Sequence, residues 1–129
     1  MTSSKLPLLY TRLTALFLLQ GIIILVFYAF LGFDTHPNQL PFGLRLDPLH
    51  AVIHLLIGVA GGYIGFWKPG LTLRFLQVFG ALYFFLAVMG TFTDVRFGLF
   101  LELEENIFHW TVGSMTTVFA LIAWKNPQA

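Results

Sequence analysis

Four long apolar stretches, separated by polar or turn-forming segments, dominate the pattern of the chain. Each is about as long as a helix that crosses the roughly 30 Å hydrocarbon core of a bilayer. Because lipid offers no partners for backbone polar groups, each stretch is expected to be an α-helix. The pattern therefore predicts an all-α, four-helix transmembrane bundle that forms a single domain, 1–129. The predicted spans are about 13–33, 48–67, 73–93 and 105–124.

Turn-forming residues mark the ends of these spans. Pro69 and Gly70 predict the turn between the second and third spans, and Pro127 ends the fourth. The first stretch is longer than the apolar core of a cleaved signal peptide, and no small-residue cleavage site follows it. We therefore expect the first stretch to be a retained helix.

The composition agrees with a membrane location and excludes several function classes. The chain is 57% hydrophobic and only 10% charged, whereas about a quarter of the residues of a soluble domain are charged. The net charge of +1 provides no basic field for nucleic acid. The absence of cysteine excludes disulfides, thiolate catalysis, iron–sulfur clusters and Cys-ligated zinc. The lipid bilayer is therefore the first partner that the composition predicts.

The charged residues predict an orientation. All six acidic residues fall on one side of the predicted spans, together with two arginines. Five basic residues fall on the other side, where no acid is found. The positive-inside rule then places both termini and the middle loop in the cytoplasm. The basic side carries Lys5, Arg12, Lys68, Arg74 and Lys125; the acidic side carries Asp34, Asp47, Asp94, Glu102, Glu104 and Glu105 with Arg45 and Arg96.

The chain contains an internal repeat. Residues 42–47 resemble residues 97–102, which is a shift of 55 positions (97 − 42). Repeat units of two helices each, at about 10–68 and 71–125, would enter the membrane in the same direction, as a parallel tandem repeat. Histidines that match under this shift are expected at equal depth. The shift pairs His54 with His109 and Gly58 with Gly113.

Two of the predicted helices carry a stripe of polar and small residues at helical spacing. Each stripe begins with an acid, passes a histidine and continues with small residues. Such residues let another helix or a flat ligand approach closely, and we favour packing within the chain. The stripes are Asp47, His50, His54, Gly58, Gly61 and Gly65 on the second helix, and Glu102, Glu105, His109, Gly113, Thr116 and Ala120 on the fourth.

Two histidines at equal depth predict a tetrapyrrole site as the first candidate chemistry. His54 and His109 would be axial ligands of a haem, such as haem b, or one of them would ligate a chlorophyll. Gly58 and Gly113, one turn deeper, would leave room for the ring. His36, in a segment rich in proline, is interpreted as a solvated loop residue.

The alternative chemistry is a metal or proton site. His50, His54, Glu105 and His109 include two i, i+4 pairs, and imidazole with carboxylate suits zinc, manganese or iron. Such a site would belong to a small membrane enzyme or transporter. In a third interpretation the histidines only pair helices, and the protein is a structural subunit of a larger membrane complex or a homo-oligomer.

Short motifs carry a family resemblance. His54 followed by Gly58, and Asn106-x-x-His109 followed by Gly113, resemble an uncharacterised bacterial family of four-helix integral membrane proteins, domain of unknown function 4383. The chain is more loosely similar to DoxX-like proteins. The resemblance implies a four-helix membrane fold with a histidine in helices two and four, and it supplies no activity or substrate. We expect a multi-pass protein of a bacterial inner or thylakoid-type membrane. We interpret the protein as a non-catalytic accessory subunit or ligand-binding module.

Overall fold

The structure is a computed structural model that describes residues 5–31, 48–92 and 103–126. All regular elements in these ranges are helical. A short 3₁₀ turn, Pro69–Leu71, joins two of the helices. The α-helices are α1 (Leu6–Leu18), α2 (Gly21–Leu31), α3 (Pro48–Trp67), α4 (Thr72–Phe92) and α5 (Leu103–Lys125).

Four stretches of these helices are long and apolar enough to cross a membrane, and α1 and α2 together supply the first. Large apolar side chains cover the outside of the bundle; Phe30 and Phe92 are 81% and 74% exposed. Such a surface suits lipid rather than water. The prediction of an all-α, four-helix transmembrane bundle is confirmed. The stretches are Leu6–Val26, Pro48–Trp67, Pro69–Phe92 and Glu105–Lys125.

The first helix begins at Leu6, earlier than the apolar pattern predicts. In the sequence, the charge of Arg12 suggests that the first helix starts after this residue. In the structure, the Arg12 side chain instead has partners inside the bundle. Its Nε–H donates to the carbonyl oxygen of Gly65 at 2.7 Å, and its guanidinium carbon lies 5.1 Å from the centroid of the Phe66 ring. A cation with both contacts is accommodated within a helix.

The first span is broken between Leu18 and Gly21. The N–H of Gln20 donates to the carbonyl of Phe17 at 3.2 Å, and that of Ile22 donates to Leu19 at 3.1 Å, so the hydrogen bonds there join residues three apart. This is the tighter 3₁₀ pattern, which often marks a bend.

Close contact with α3 surrounds the break. A Cβ atom on Gly21 would lie 2.5 Å from the carbonyl oxygen of Ala51, and one on Gly58 would lie 2.9 Å from the backbone nitrogen of Leu19. The backbone of the first span therefore contacts the backbone of α3 on both sides of the bend. The break positions Gln20 beside the N-terminal half of α3.

The helices form two closely packed pairs. The first span packs along α3, and α4 packs along α5. The glycine face of α3 is used for packing within the chain, as favoured above, and its main partner is the first span. Periodicity identifies such a face without identifying its neighbour. A core of six buried residues fills the centre of the bundle: Leu18, Phe75, Leu76, Phe79, Tyr83 and Ala123.

Neighbouring helices run antiparallel, so the basic residues collect at one end of the bundle, called here the basic end. Orientation with respect to the cytoplasm stays a prediction, as do the tandem repeat and the single-domain boundaries. Several residues used in those predictions lie outside the described residues: His36, Asp34, Asp47, Asp94, Glu102, Arg45, Arg96 and the repeat segments 42–47 and 97–102. The basic end is defined by Lys5, Arg12, Lys68, Arg74 and Lys125.

Candidate functional site

The candidate site lies near the N-terminal ends of α3 and α5, opposite the basic end. His54 is the seventh residue of α3, and His109 is the seventh residue of α5. One turn earlier, His50 and Glu105 each occupy the third position. The two helices therefore carry these side chains at the same positions along their length, and the tandem repeat itself stays a prediction.

All four side chains are buried. The exposed fraction is 2% for His50, 4% for His54, 2% for Glu105 and 0% for His109. Ionisable groups are rarely placed at such depth in an apolar bundle without a functional reason. The spacing that predicts one buried face on each helix is therefore satisfied at all four positions.

The His50 ring lies close to histidine rings of both α3 and α5. Its ring centroid lies 4.5 Å from that of His54, with the two planes at 73°. The centroid of His109, on the other helix, is 5.7 Å from that of His50, with planes at 31°. Three imidazoles therefore form one cluster across the gap between α3 and α5.

The ring nitrogens of the two deeper histidines have no hydrogen-bond partner. Within the part of the chain that the structure describes, neither Nδ1 nor Nε2 of His54 or of His109 makes a hydrogen bond. A buried polar atom left unsatisfied costs about 1–3 kcal/mol. Buried groups of this kind are normally satisfied by water, an ion or a ligand.

A cavity of about 40 Å³ opens at the cluster. That volume holds one to a few water molecules or a small ion. The break in the first span supplies one wall, and the ring centroids of Phe17 and Phe108, which face each other at the cavity, are 5.7 Å apart. The lining residues are Phe17, Gln20, His50, His54, Glu105, Phe108 and His109.

The two glycines predicted to admit a tetrapyrrole do not line this cavity. Space beside Gly58 is occupied by the backbone of Leu18 and Leu19. A Cβ on Gly113 would lie 3.4 Å from the backbone nitrogen of Phe84. The glycines thus serve helix contacts in this structure, and a porphyrin ring would need α3 and α5 to move apart.

The separations between the imidazole rings can be compared with those in a metal site. Two imidazoles on one tetrahedral zinc ion have ring centroids roughly 5 Å apart, given Zn–N bonds of about 2.0–2.1 Å. The observed 4.5 and 5.7 Å bracket that separation. As the side chains stand, no three His, Asp or Glu groups in the described ranges converge on one ion. Coordination therefore requires the rings to rotate about their side-chain torsions, which are broad for histidine.

Sequence reasoning missed two features beside the cluster. Tyr83 of α4 packs edge-on against His109, with centroids 5.3 Å apart. On the other side, Thr91 Oγ1 accepts hydrogen bonds from Asn106 Nδ2 at 2.6 Å and from Trp110 Nε1 at 3.0 Å. The i, i+4 spacing of the last two residues is the one signal in the sequence, and it does not identify their partner on α4.

Comparison with known proteins gives a family and no function. No curated protein and no solved structure matches the chain. A family profile, described as Domain of unknown function (DUF4383), matches residues 9–122. The match covers both helix pairs and all four side chains of the cluster. The chain therefore belongs to this uncharacterised family, which agrees with the resemblance found in its motifs.

Proposed function

We propose that this protein is a non-catalytic membrane module that binds one divalent transition-metal ion at the histidine cluster. The observation that carries the proposal is the set of four unpartnered ring nitrogens on two buried histidines, His54 and His109, beside a small cavity. His50 and Glu105 complete the ligand set. The size of the cavity suits an ion with or without a bound water molecule.

The chemistry of the four side chains supports zinc, manganese or iron. Imidazole and carboxylate are borderline or hard ligands that these ions accept, and no thiolate is present to favour softer metals. Glu105 sits in the first turn of α5, where the helix dipole favours negative charge. A carboxylate there offsets part of the charge of a divalent cation in an apolar bundle.

A tetrapyrrole is the second candidate ligand. It is favoured by the matched positions of His54 and His109 on two helices that are not packed as a pair. Axial ligation would use the same nitrogens. A bound tetrapyrrole would also require the two helix pairs to separate around the ring. A single metal ion requires no such separation.

The proposed setting is a bacterial inner or thylakoid-type membrane with both termini in the cytoplasm. The cluster would then lie near the opposite face of the membrane, at the end of the spans where the sequence places the acidic residues. An excess of acidic residues at one end of a protein attracts cations toward that end. A larger membrane complex or a second copy of the chain is the proposed context for a non-catalytic module.

Metal titration of the purified protein tests the proposal. The protein in mild detergent is stripped with chelator, and Zn²⁺ and Mn²⁺ binding is measured by calorimetry. The variants are His54→Ala and His109→Ala, and His36→Ala is the matched control because it removes a histidine from the predicted loop. We expect one strong site in the wild type and in the control, and its loss in both cluster variants.

Two outcomes would overturn the metal proposal. One is a wild type that binds neither ion above the level of the cluster variants. The other is a Soret-type absorption band in protein purified from haem-supplied cells that disappears in His54→Ala and His109→Ala. That second result would assign the site to a tetrapyrrole.

A further inference from the structure

The basic end of the bundle collects positive charge without a carboxylate to balance it. Arg12 is partly buried there, and the other cations of this end are exposed. The acidic residues within the described ranges, Glu104 and Glu105, lie in the first turn of α5, at the opposite end of the bundle. Anions outside the protein are therefore expected to supply the counter-charge. The exposed cations are Lys5, Lys68, Arg74 and Lys125.

Two tryptophans place the basic end at the level of lipid headgroups. Trp67 and Trp124 are 70% and 66% exposed, and each directly precedes a lysine in the sequence. Tryptophan is enriched at the membrane–water interface, where its amphipathic ring lies at headgroup depth. The phosphate groups of lipids are therefore the anions nearest to the basic end.

Arg12 is held in place by a carbonyl that a proline leaves free. In a continuous helix the Gly65 carbonyl would accept the N–H of residue 69, but Pro69 has no N–H. Arg12 Nε–H donates to that carbonyl instead, at 2.7 Å, and the guanidinium carbon lies 5.1 Å from the centroid of the Phe66 ring. The guanidinium is therefore fixed through its inner nitrogen and through one face.

The outer edge of the same guanidinium has no partner. In the part of the chain that the structure describes, the two terminal amino groups of Arg12 make no hydrogen bond or ion pair. A guanidinium presents these groups as a planar fork that matches two oxygens of a phosphate. Because the side chain is already ordered, an anion that binds the fork costs little further side-chain entropy.

Two lysines flank Arg12 on the helices that hold it. Lys5, the N-cap of α1, precedes Arg12 by seven residues, or about two helical turns, so both lie on one face of α1. Lys68 directly follows α3 and is three residues beyond Gly65. A Cβ atom on Gly65 would lie 2.9 Å from Cγ of Arg12, which brings the two helices into close contact here. Lys5, Arg12 and Lys68 are called here the cationic patch.

We propose that the cationic patch binds the phosphate of an anionic phospholipid. The fork of Arg12 holds two phosphate oxygens, Lys5 and Lys68 add charge, and the acyl chains lie along the exposed apolar side chains of the first span and α3. A net negative headgroup is preferred because the patch contains three cations and no acid. Gly65 lies eleven residues beyond His54, or about 16 Å along α3, so this site is separate from the histidine cluster and does not depend on metal binding.

Lipid binding to the purified protein tests the proposal. The protein in nonionic detergent is titrated with phosphatidylglycerol or with phosphatidylcholine of the same acyl chains, and bound lipid is measured by native mass spectrometry. We expect phosphatidylglycerol to bind about tenfold more tightly. Lys68→Gln should lower this preference about fivefold, as expected for one cation at a membrane surface. Arg12→Lys should lower it as well, because lysine keeps the charge but lacks the fork.

Lys125→Gln is the matched control for Lys68→Gln. It removes one exposed lysine that also follows a tryptophan at the basic end, but from the other helix pair. We expect this variant to keep the wild-type preference. Helical content and thermal stability are measured for every variant. Because Lys68 is exposed, Lys68→Gln is expected to fold normally, and it decides the test if Arg12→Lys is unstable.

Three results would overturn the proposal. They are equal binding of the two lipids by the wild type, a loss of preference in Lys125→Gln as large as in Lys68→Gln, and binding of free glycerol phosphate as tightly as of phosphatidylglycerol. The last result would assign the patch to a soluble phosphate compound. His54→Ala is expected to lose zinc and to bind phosphatidylglycerol as the wild type does, so failure of this proposal and failure of the proposed function are distinguishable.

Discussion

The imidazole rings of His50 and His109 lie 5.7 Å apart between centroids, although their helices belong to different packed pairs. The cluster is therefore a place where the two halves of the bundle meet through polar side chains. A ligand bound there contacts both halves at once. Binding and the stability of the bundle should be coupled for this reason.

Metal should therefore stabilise the protein through the cluster. At a free Zn²⁺ concentration about a hundred times the dissociation constant, binding adds about 2.7 kcal/mol to the free energy of unfolding. Thermal unfolding in detergent should show a higher midpoint with Zn²⁺ for the wild type and for His36→Ala. The midpoint of His109→Ala should stay within error of its metal-free value; an equal rise would place the stabilising ion elsewhere.

Gly58 and Gly62 provide a matched pair on one helix. A Cβ at position 58 would approach three backbone atoms within 3.2 Å, whereas no atom of the described residues lies within 4 Å of one at position 62. Gly58→Ala should destabilise by about 1–3 kcal/mol because backbone must move. Gly62→Ala should be neutral or stabilise by up to about 1 kcal/mol through helix propensity. Unfolding in a denaturing detergent measures both, and equal effects would refute the close contact between α3 and the first span.

Arg12 should stabilise the basic end through its hydrogen bond to the Gly65 carbonyl. Hydrogen bonds of charged groups contribute about 1.5–3 kcal/mol, so Arg12→Ala should lower the free energy of unfolding by that order. Arg12→Lys should recover little of this lost stability, because a lysine lacks the planar guanidinium group that also packs over Phe66. The control is Arg74→Ala, which removes an exposed cation. An equally large loss of stability in Arg74→Ala would show that the change in net charge, and not the hydrogen bond of Arg12, causes the effect.

Thr91 should hold α4 to α5. Its hydroxyl accepts from Asn106 and Trp110, so Thr91→Val leaves a buried amide without its acceptor, at a cost of about 1–3 kcal/mol. Thr111→Val is the control, because in the described part of the chain that hydroxyl donates within its own helix, to the carbonyl of Ile107. Unfolding in the same denaturing detergent should show a larger loss of stability in Thr91→Val than in Thr111→Val. Equal losses in the two variants would contradict the role of Thr91 in holding α4 to α5.

Much of the fold follows from periodicity alone. Apolar runs of membrane-crossing length predict the spans, because lipid permits little else. Helical spacing also predicts that His54 and His109 are buried. Both inferences use only the order of residues along one helix.

The rest depends on which helices become neighbours. The break at Gln20 arises where the first span meets α3 through Gly21 and Gly58, and a local pattern contains no such contact. Tyr10 and Tyr83 look like ordinary aromatic residues of apolar spans, and only packing turns them toward the interior. The same limit explains why helical spacing predicts packing at Gly58 without identifying the first span as its partner.

X-ray absorption at the zinc edge shows whether the histidine cluster holds the metal ion. Stripped protein is loaded with one equivalent of Zn²⁺ in detergent, beside a His54→Ala/His109→Ala double variant. We expect nitrogen and oxygen neighbours at about 2.0–2.1 Å with the outer-shell scattering of imidazole rings in the wild type, and a loss of that scattering in the double variant. Identical spectra from the two proteins, or a spectrum of hydrated zinc from the wild type, would contradict it.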